Sequence, residues 1–497
     1  MYYLGIDLGS SSIKIALIDS DSGKPFSVVQ EPENEMAIHA PKTGWAEQHP
    51  EDWWQAVCLG IQKIKKTHNI HEKDIKGIGI AYQMHGLVVL DKEGNPLRNA
   101  IIWCDSRAVA IGHEAFEKIG ASYCKENLLN SPANFTASKL AWVKKQEPEI
   151  YTKVYKFMLP GDYLAFRFTG QMTTTISGLS EGILWNFKKG EVASKVLDHF
   201  DFDTKLIPQI VDTIGIQGQL SSKGATESGL VAGTPILYRA GDQPNNALAL
   251  NILRPGEMAA TGGTSGVIYA ITDSLSSKES ERVNNFAHVN YHIKTDKVIG
   301  KLLCINGAGI LYRWLRNNLK VNSYEQMNTL ASSVPAGCDG LSIIPFGNGA
   351  ERMLNNQNLG AHILNLDLNR HNQAHICRAA LEGIAFSFVY GFNIMKADEI
   401  QSKVMRAGND NLFRSKIFAT TLATLIEQKI EIHNTTGAIG AARACIISQK
   451  GYAAFSLTTK NDFEKVYIPN EDKEQLKVAY NQWNKELQLI NNKIASS

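Results

Sequence analysis

The sequence predicts an α/β protein made of two related domains, and three observations carry that expectation. The chain has 497 residues, too many for one hydrophobic core. Apolar, β-branched runs alternate with segments of helical periodicity through the first half, as in a sheet flanked by helices. A strand–turn–strand pattern at the N-terminus returns at the midpoint of the chain.

Tyr2 to Gly9 reads as an apolar strand, Ser10 to Ser12 as a tight polar turn, and Ile13 to Asp19 as a second strand, together a hairpin. Asp52 to Lys66 has helical spacing, and Gly77–Gln83 reads as a short strand. Thr234–Leu237 is a further apolar strand that leads into a helix. Met258–Gly262, the turn Gly263-Thr264-Ser265-Gly266 and Val267–Ile271 then repeat the opening hairpin. Its recurrence at the head of each half places a boundary near 245–255, with Pro255 and Gly256 marking the turn. The expected domains are 1–248 and 249–497, and the segment from Asp472 reads as a polar helix with a frayed end.

Composition excludes several classes. The formal net charge is +2 with no long run of one sign, so no basic stripe for nucleic acid is present. The seven cysteines form no C-x-x-C pair, which points to a reducing compartment and away from structural zinc. No stretch approaches the ~18 apolar residues of a membrane span, and the N-terminus lacks a signal-peptide pattern. A soluble cytoplasmic protein is expected, without a nucleic-acid or membrane partner.

A phosphate site without a P-loop needs backbone N–H groups and small hydroxyls converging on one point. No G-x-x-x-x-G-K-[ST] occurs, whereas Gly9-Ser10-Ser11-Ser12 and Gly263-Thr264-Ser265-Gly266 have the right residues. Taken singly, either is equally readable as a plain hairpin turn. Asp7, just before the first turn, would need a cation between it and a bound phosphate, which suggests water-mediated Mg²⁺; a turn cap is the alternative. Asp242, after the strand at 234–237, either caps the following helix or accepts a proton from a substrate hydroxyl. Local sequence leaves both open. Between the two carboxylates lie Gly44-Trp45-Ala46-Glu47-Gln48, Tyr82-Gln83-Met84-His85-Gly86 and Ile102-Trp103-Cys104-Asp105-Ser106-Arg107. This mixture of aromatic faces and directed polar groups suits a sugar, although a single tryptophan usually packs a core.

In order along the chain, these pieces resemble the FGGY family of carbohydrate kinases, and within it the xylulokinase branch. Gly5-Ile6-Asp7-Leu8-Gly9-Ser10-Ser11-Ser12-Ile13-Lys14 is similar to the family's first phosphate loop. Gly44–Trp54, Gln83–Gly86 and Leu159–Leu164 are similar to xylulokinases. Phe135–Val143 and His375–Gly383 resemble the two family signatures. Departures occur at Asn134, Asn365, Gln243-Pro244-Asn245-Asn246 and Asn409-Asp410.

The resemblance implies two RNase H-like, actin-like domains with ATP in the cleft between them, and the reaction D-xylulose + ATP → D-xylulose 5-phosphate + ADP. It implies Asp242 as catalytic base and Asp7 beside Mg²⁺ and the transferred phosphoryl group. Met84, His85, Trp103, Asp105 and Gln243 would contact the sugar. Ser10, Ser11, Lys14, Gly263 and Thr264 would hold ATP phosphates, with Gly309, Arg313, Gly408 and Asn409 around the rest of the nucleotide. A homodimer is a family-based expectation. The rivals are another substrate of the same family (L-ribulose, L-xylulose, L-fuculose or a polyol), a sugar-sensing regulator without activity, and a filament-forming actin relative.

Overall fold

A computed structural model describes residues 1–495. Two large sheets organise it. The first contains β1 (Tyr2–Leu8), β2 (Ile13–Asp19), β3 (Pro25–Glu31), β4 (Ile75–Tyr82), β5 (Ile214–Gln219) and β6 (Pro235–Gly241), in the order β5-β6-β4-β1-β2-β3. The second contains β7 (Glu257–Gly262), β8 (Gly266–Thr272), β9 (Asn284–Ala287), β10 (Ile299–Ile305), β11 (Val404–Gly408), β12 (Ile430–His433) and β13 (Phe463–Tyr467), in the order β9-β10-β8-β7-β11-β12-β13.

The repeated hairpins head equivalent sheets. β1 pairs antiparallel with β2 and parallel with β4, and β4 runs parallel to β6. β7 likewise pairs antiparallel with β8 and parallel with β11, which runs parallel to β12. Each sheet is therefore a three-stranded antiparallel meander continued by two parallel strands, with additional edge strands outside it. β1 reads as a near-continuous apolar run because helices cover both its faces, as parallel strands require.

Two helices join the lobes. Asp242–Ala249 leaves β6, and Gly437–Thr458, although late in the chain, packs on the first sheet. Their crossing is close: a Cβ on Gly440 would stand 2.5 Å from that of Ala249. Gly5 and Gly79 must lack side chains, since a Cβ at either would overlap the carbonyl of Ala438 or Ala441. Spatial packing thus departs from chain order here. The C-terminal helix Lys473–Ala495 is not polar throughout. It buries Leu476, Trp483 and Leu487, and Trp483 Nε1 donates to the Ile343 carbonyl at 2.9 Å. No helix among the described residues is long and apolar enough to cross a membrane.

Candidate functional site

The site begins with the two hairpin turns, which the duplicated topology sets at corresponding ends of the two sheets. In the first, Gly9 N–H donates to the Ser12 carbonyl at 3.1 Å, closing the turn. Ser10 is held from outside: its carbonyl accepts from Gln48 Nε2 at 2.7 Å, and its hydroxyl from Trp103 Nε1 at 3.5 Å. Ser11 is exposed. Lys14 stands opposite Asp7 in the hairpin register, and its charge acts on Asp7 and, from the other lobe, on Asp410.

In the second turn the carbonyls of Gly263 and Thr264 accept the N–H groups of Gly309 and Ile310, at 3.1 and 3.0 Å. This fastens the turn to the start of the Gly309–Asn318 helix, and a Cβ on Gly309 would overlap the Gly263 carbonyl. Arg313 is exposed one turn further along. Gly408 ends β11. Asn409 after it donates from Nδ2 to Glu464 at 2.6 Å, and its own carbonyl accepts from Arg414 Nε at 3.1 Å. Asn411 Nδ2 lies 3.9 Å from where a Gly263 Cβ would stand, so these three segments converge.

Asp7 and Asp242 meet where the lobes join. Asp7 lies at the N-terminus of the Gly437–Thr458 helix: a Cβ on Gly437 would overlap Asp7 Oδ2 and stand 3.1 Å from Asn246 Oδ1. The partial positive charge of that helix end favours a carboxylate. Burial nevertheless raises the Asp7 carboxyl, opposed by Lys14. Burial raises Asp242 to about 7, and the Asp7 charge adds to it. Gln243 Nε2 donates to Asp242 Oδ2 at 3.3 Å. No group of three or more His, Cys, Asp or Glu among the described residues could hold a metal unaided. A carboxylate raised by its neighbour's charge is relieved by a cation, and Mg²⁺ takes one or two carboxylates together with phosphate oxygens and water. The residues present fit an ion that arrives with a nucleotide.

The wall beside Asp242 is built from loops of the first lobe. Met84 and His85 follow β4, with His85 in the left-handed region at φ 61. A Cβ on Gly241 would meet Met84 Cγ at 2.5 Å and Glu181 Oε2 at 2.8 Å, so both side chains reach the residue before the candidate base. The His85 ring lies 4.7 Å from Phe135 and 5.2 Å from Phe286, and its Nδ1 bonds the Glu181 carbonyl at 3.2 Å. Burial and the Lys139 and Arg352 charges lower His85 to about 3, so the ring is neutral. Trp103 is 51% exposed at the mouth.

One expected sugar contact is corrected. Asp105 is fully buried and its carboxylate is already engaged: it accepts from Ala46 N–H at 2.6 Å and pairs with Arg107 Nη2 at 2.6 Å. Arg107 in turn stacks 3.7 Å over Trp45, which abuts Trp142. Asp105 therefore holds the 44–48 loop in shape, its carboxylate already occupied by protein donors.

Sequence reasoning passed over four groups. Lys139, inside the Phe135–Val143 segment, is fully buried and donates to the carbonyls of His85 at 2.7 Å and Ile102 at 3.1 Å. Burial lowers it to about 7. Glu181, 1% exposed, has an Oε1 without a hydrogen-bond partner and a carboxyl raised far above the usual range by burial. Glu351 accepts the N–H groups of Asn306 and Gly307 at 2.9 and 2.6 Å, shaping the entry to the Gly309 helix. Arg352 beside it reaches towards Phe135 of the other lobe. A lone acid in the Thr/Ser/Gly run 173–182 and a Glu-Arg pair in a Gly/Asn-rich loop were the available signals.

The sequence model of the FGGY family of carbohydrate kinases, N-terminal domain, matches residues 2–249, and that of its C-terminal domain matches 258–448. The chain is 32% identical over 403 residues to a xylulose kinase of Bacillus subtilis (strain 168), covering 78% of this chain and 76% of the relative. In fold it is similar to the xylulose kinase from Rhodospirillum rubrum, with TM-score 0.88, 22% identity and full coverage of both chains. It is similar also to a Plasmodium falciparum glycerol kinase with ADP, with TM-score 0.87, 21% identity and 98% of each chain covered. Equal likeness to enzymes named for different substrates means the fold leaves the substrate to side chains.

Proposed function

The chain belongs to the FGGY family of carbohydrate kinases and is a sugar kinase with a xylulose kinase-like sequence; from that premise we propose that it transfers the γ-phosphoryl group of ATP to O5 of D-xylulose. Residues 1–248 would supply the sugar wall and first phosphate turn, and residues 249–497 most of the nucleotide site. The observation that carries the reading is Asp242. It is held at about 7 beside the Met84–His85 wall and within reach of the Asp7 charge. A carboxylate of that basicity accepts a hydroxyl proton at neutral pH better than an ordinary aspartate.

In the proposed reaction Asp242 takes the proton from O5 as the oxygen attacks the γ-phosphorus, and the bond to the β,γ-bridging oxygen breaks to release ADP. The N–H groups and hydroxyls of the two turns and the Lys14 ammonium offset negative charge on the phosphates. Mg²⁺, held near Asp7 through water, would supply further charge neutralisation. Met84, neutral His85, Trp103 and Gln243 orient the sugar, so catalysis is positioning plus electrostatics without a covalent enzyme intermediate. The relatives' names support D-xylulose, and so does the Met84-His85 pair.

The test is ADP release in a coupled assay with Mg-ATP and a panel of ketoses, aldoses, polyols and D-gluconate. The expected result is the highest kcat/KM for D-xylulose. Preference for another member of the panel by tenfold or more would overturn the substrate and leave the kinase.

A further inference from the structure

The first lobe supplies every sugar contact considered so far, yet one cation of the second lobe faces the same wall. Arg352 opens a short turn at Arg352–Leu354. Its guanidinium lies 6.0 Å from the centre of the Phe135 ring, the ring that packs against His85 at 4.7 Å. Its charge acts on His85 and on Cys304, and Cys304 also feels Asp242. His85, Phe135 and Cys304 thus place Arg352 on the second-lobe side of the Met84–His85 wall.

Arg352 is held for some purpose other than an ion pair. Nε donates to the Glu281 carbonyl at 3.0 Å and Nη2 to the Ser280 carbonyl at 3.4 Å, which fixes the plane of the guanidinium. Both of these bonds go to carbonyls and neither uses Nη1, and no carboxylate among the described residues forms an ion pair with the guanidinium. Burial lowers it to about 10, so it remains charged at neutral pH. Arg352 is half-buried, its guanidinium plane is fixed by two carbonyls, and Nη1 is left for an acceptor that arrives in the cleft. The residue before it is already committed elsewhere: Glu351 holds the N–H groups of Asn306 and Gly307, which lead into the Gly309 helix of the nucleotide site.

We propose that Arg352 donates from Nη1 across the cleft to an oxygen of the bound sugar, and that the Glu351–Arg352 pair thereby couples sugar occupancy to the order of the nucleotide loop at 306–309. The acceptor is a hydroxyl or carbonyl oxygen of a neutral sugar; a sugar carboxylate would use the same donors. The inference rests on the sugar-kinase reading of the cleft. It adds a contact that is complete only when both lobes bear on the ligand. Sugar and ATP then bind with positive coupling, because the first ligand fixes the dipeptide that the second requires.

The experiment compares wild type, Arg352→Ala and Arg352→Lys, using the sugar that wild type phosphorylates best. Sugar KM and the affinity for AMP-PNP with and without that sugar are measured, with melting temperatures as a fold control. Loss of a charge-assisted hydrogen bond is expected to raise the sugar KM of Arg352→Ala by about 10- to 100-fold. The sugar-dependent gain in AMP-PNP affinity should vanish, while affinity without sugar stays within about twofold, and Arg352→Lys should restore part of both. Unchanged sugar KM with intact coupling in Arg352→Ala would overturn the proposal. So would an equal loss of AMP-PNP affinity with and without sugar, which would reduce Arg352 to a support for its own loop. Preference of wild type for a sugar other than D-xylulose would sink the substrate reading alone, since the variants are compared on whichever sugar is accepted.

Discussion

Replacing Asp242 by Asn tests the central assignment twice, because the burial that makes the carboxylate basic also makes it destabilising. The group moves from an ordinary 3.8 to about 7 in the folded protein. Each unit corresponds to about 1.4 kcal/mol, so the full difference is ~4 kcal/mol; partial solvent access at the cleft reduces the expected value to about 2 kcal/mol. The sign follows from proton binding. A carboxyl raised on folding holds more protons in the native state between pH 4 and 7, so stability falls as pH rises through that window. Above about 7 the penalty is complete, and below about 4 it is absent.

Asp242→Asn should therefore lower kcat by about 10²- to 10⁴-fold, the usual contribution of a general base. The same variant should melt about 4–8 °C higher than wild type at pH 8, and at nearly the same temperature at pH 4. Wild-type kcat/KM should fall as pH drops through about 7, because the base must be unprotonated. Coupled ADP release and thermal melts at the two pH values measure all three. Turnover within tenfold of wild type would remove Asp242 as the base. A melting point unchanged at pH 8 would show that the buried charge is not the source of its basicity.

Two further substitutions test the nucleotide loop and the placement of Asp7. Glu351→Ala leaves the Asn306 and Gly307 N–H groups without their acceptor, a loss of ~1–3 kcal/mol; the ATP KM should rise about tenfold, and the sugar KM in saturating ATP should rise with it because the coupling is reciprocal. An ATP KM within about twofold of wild type, read by steady-state kinetics, would show that the nucleotide site does not depend on Glu351. Gly437→Ala places a methyl group against Asp7 Oδ2 and should cut kcat by at least ~10-fold with the sugar KM retained, at ~1–3 kcal/mol in stability by urea unfolding. Full activity in that variant would show that Asp7 has freedom to move and is not tightly placed.

What was legible in the sequence was local. The two hairpins stand almost where apolar alternation and Gly/Ser/Thr turns put them, at Tyr2–Asp19 and Glu257–Thr272. The Asp52–Lys66 periodicity became the Pro50–His68 helix, extended at its start by Pro50 at the first position and a His49 cap. Asp105 misled because an Asp beside a half-exposed Trp reads the same whether it meets a sugar or an arginine. Only the fold brings Ala46 and Arg107 onto its oxygens. Lys139, Glu181, Glu351 and Arg352 were missed for the converse reason. Their partners (His85, Gly241, Asn306 and Phe135) lie 45 to 217 positions away, so no window of sequence contains the contact. The Gly437–Thr458 helix is the extreme case, its carbonyls fitted against glycines at 5 and 79.

That helix also explains why the chemistry sits where it does. Asp7 ends a strand of the first sheet, Asp242 begins one crossing helix, and Gly437 begins the other. All three lie at the junction of the lobes, where the two helices cross. The turns at Gly9 and Gly263, like the loops at 85 and 352, come from different lobes. Donors from both lobes can therefore bear on one ligand beside the two carboxylates. The carboxylates thus sit where the two lobes are joined, and Arg352 and Lys14 are charges whose fields reach from one lobe to the other.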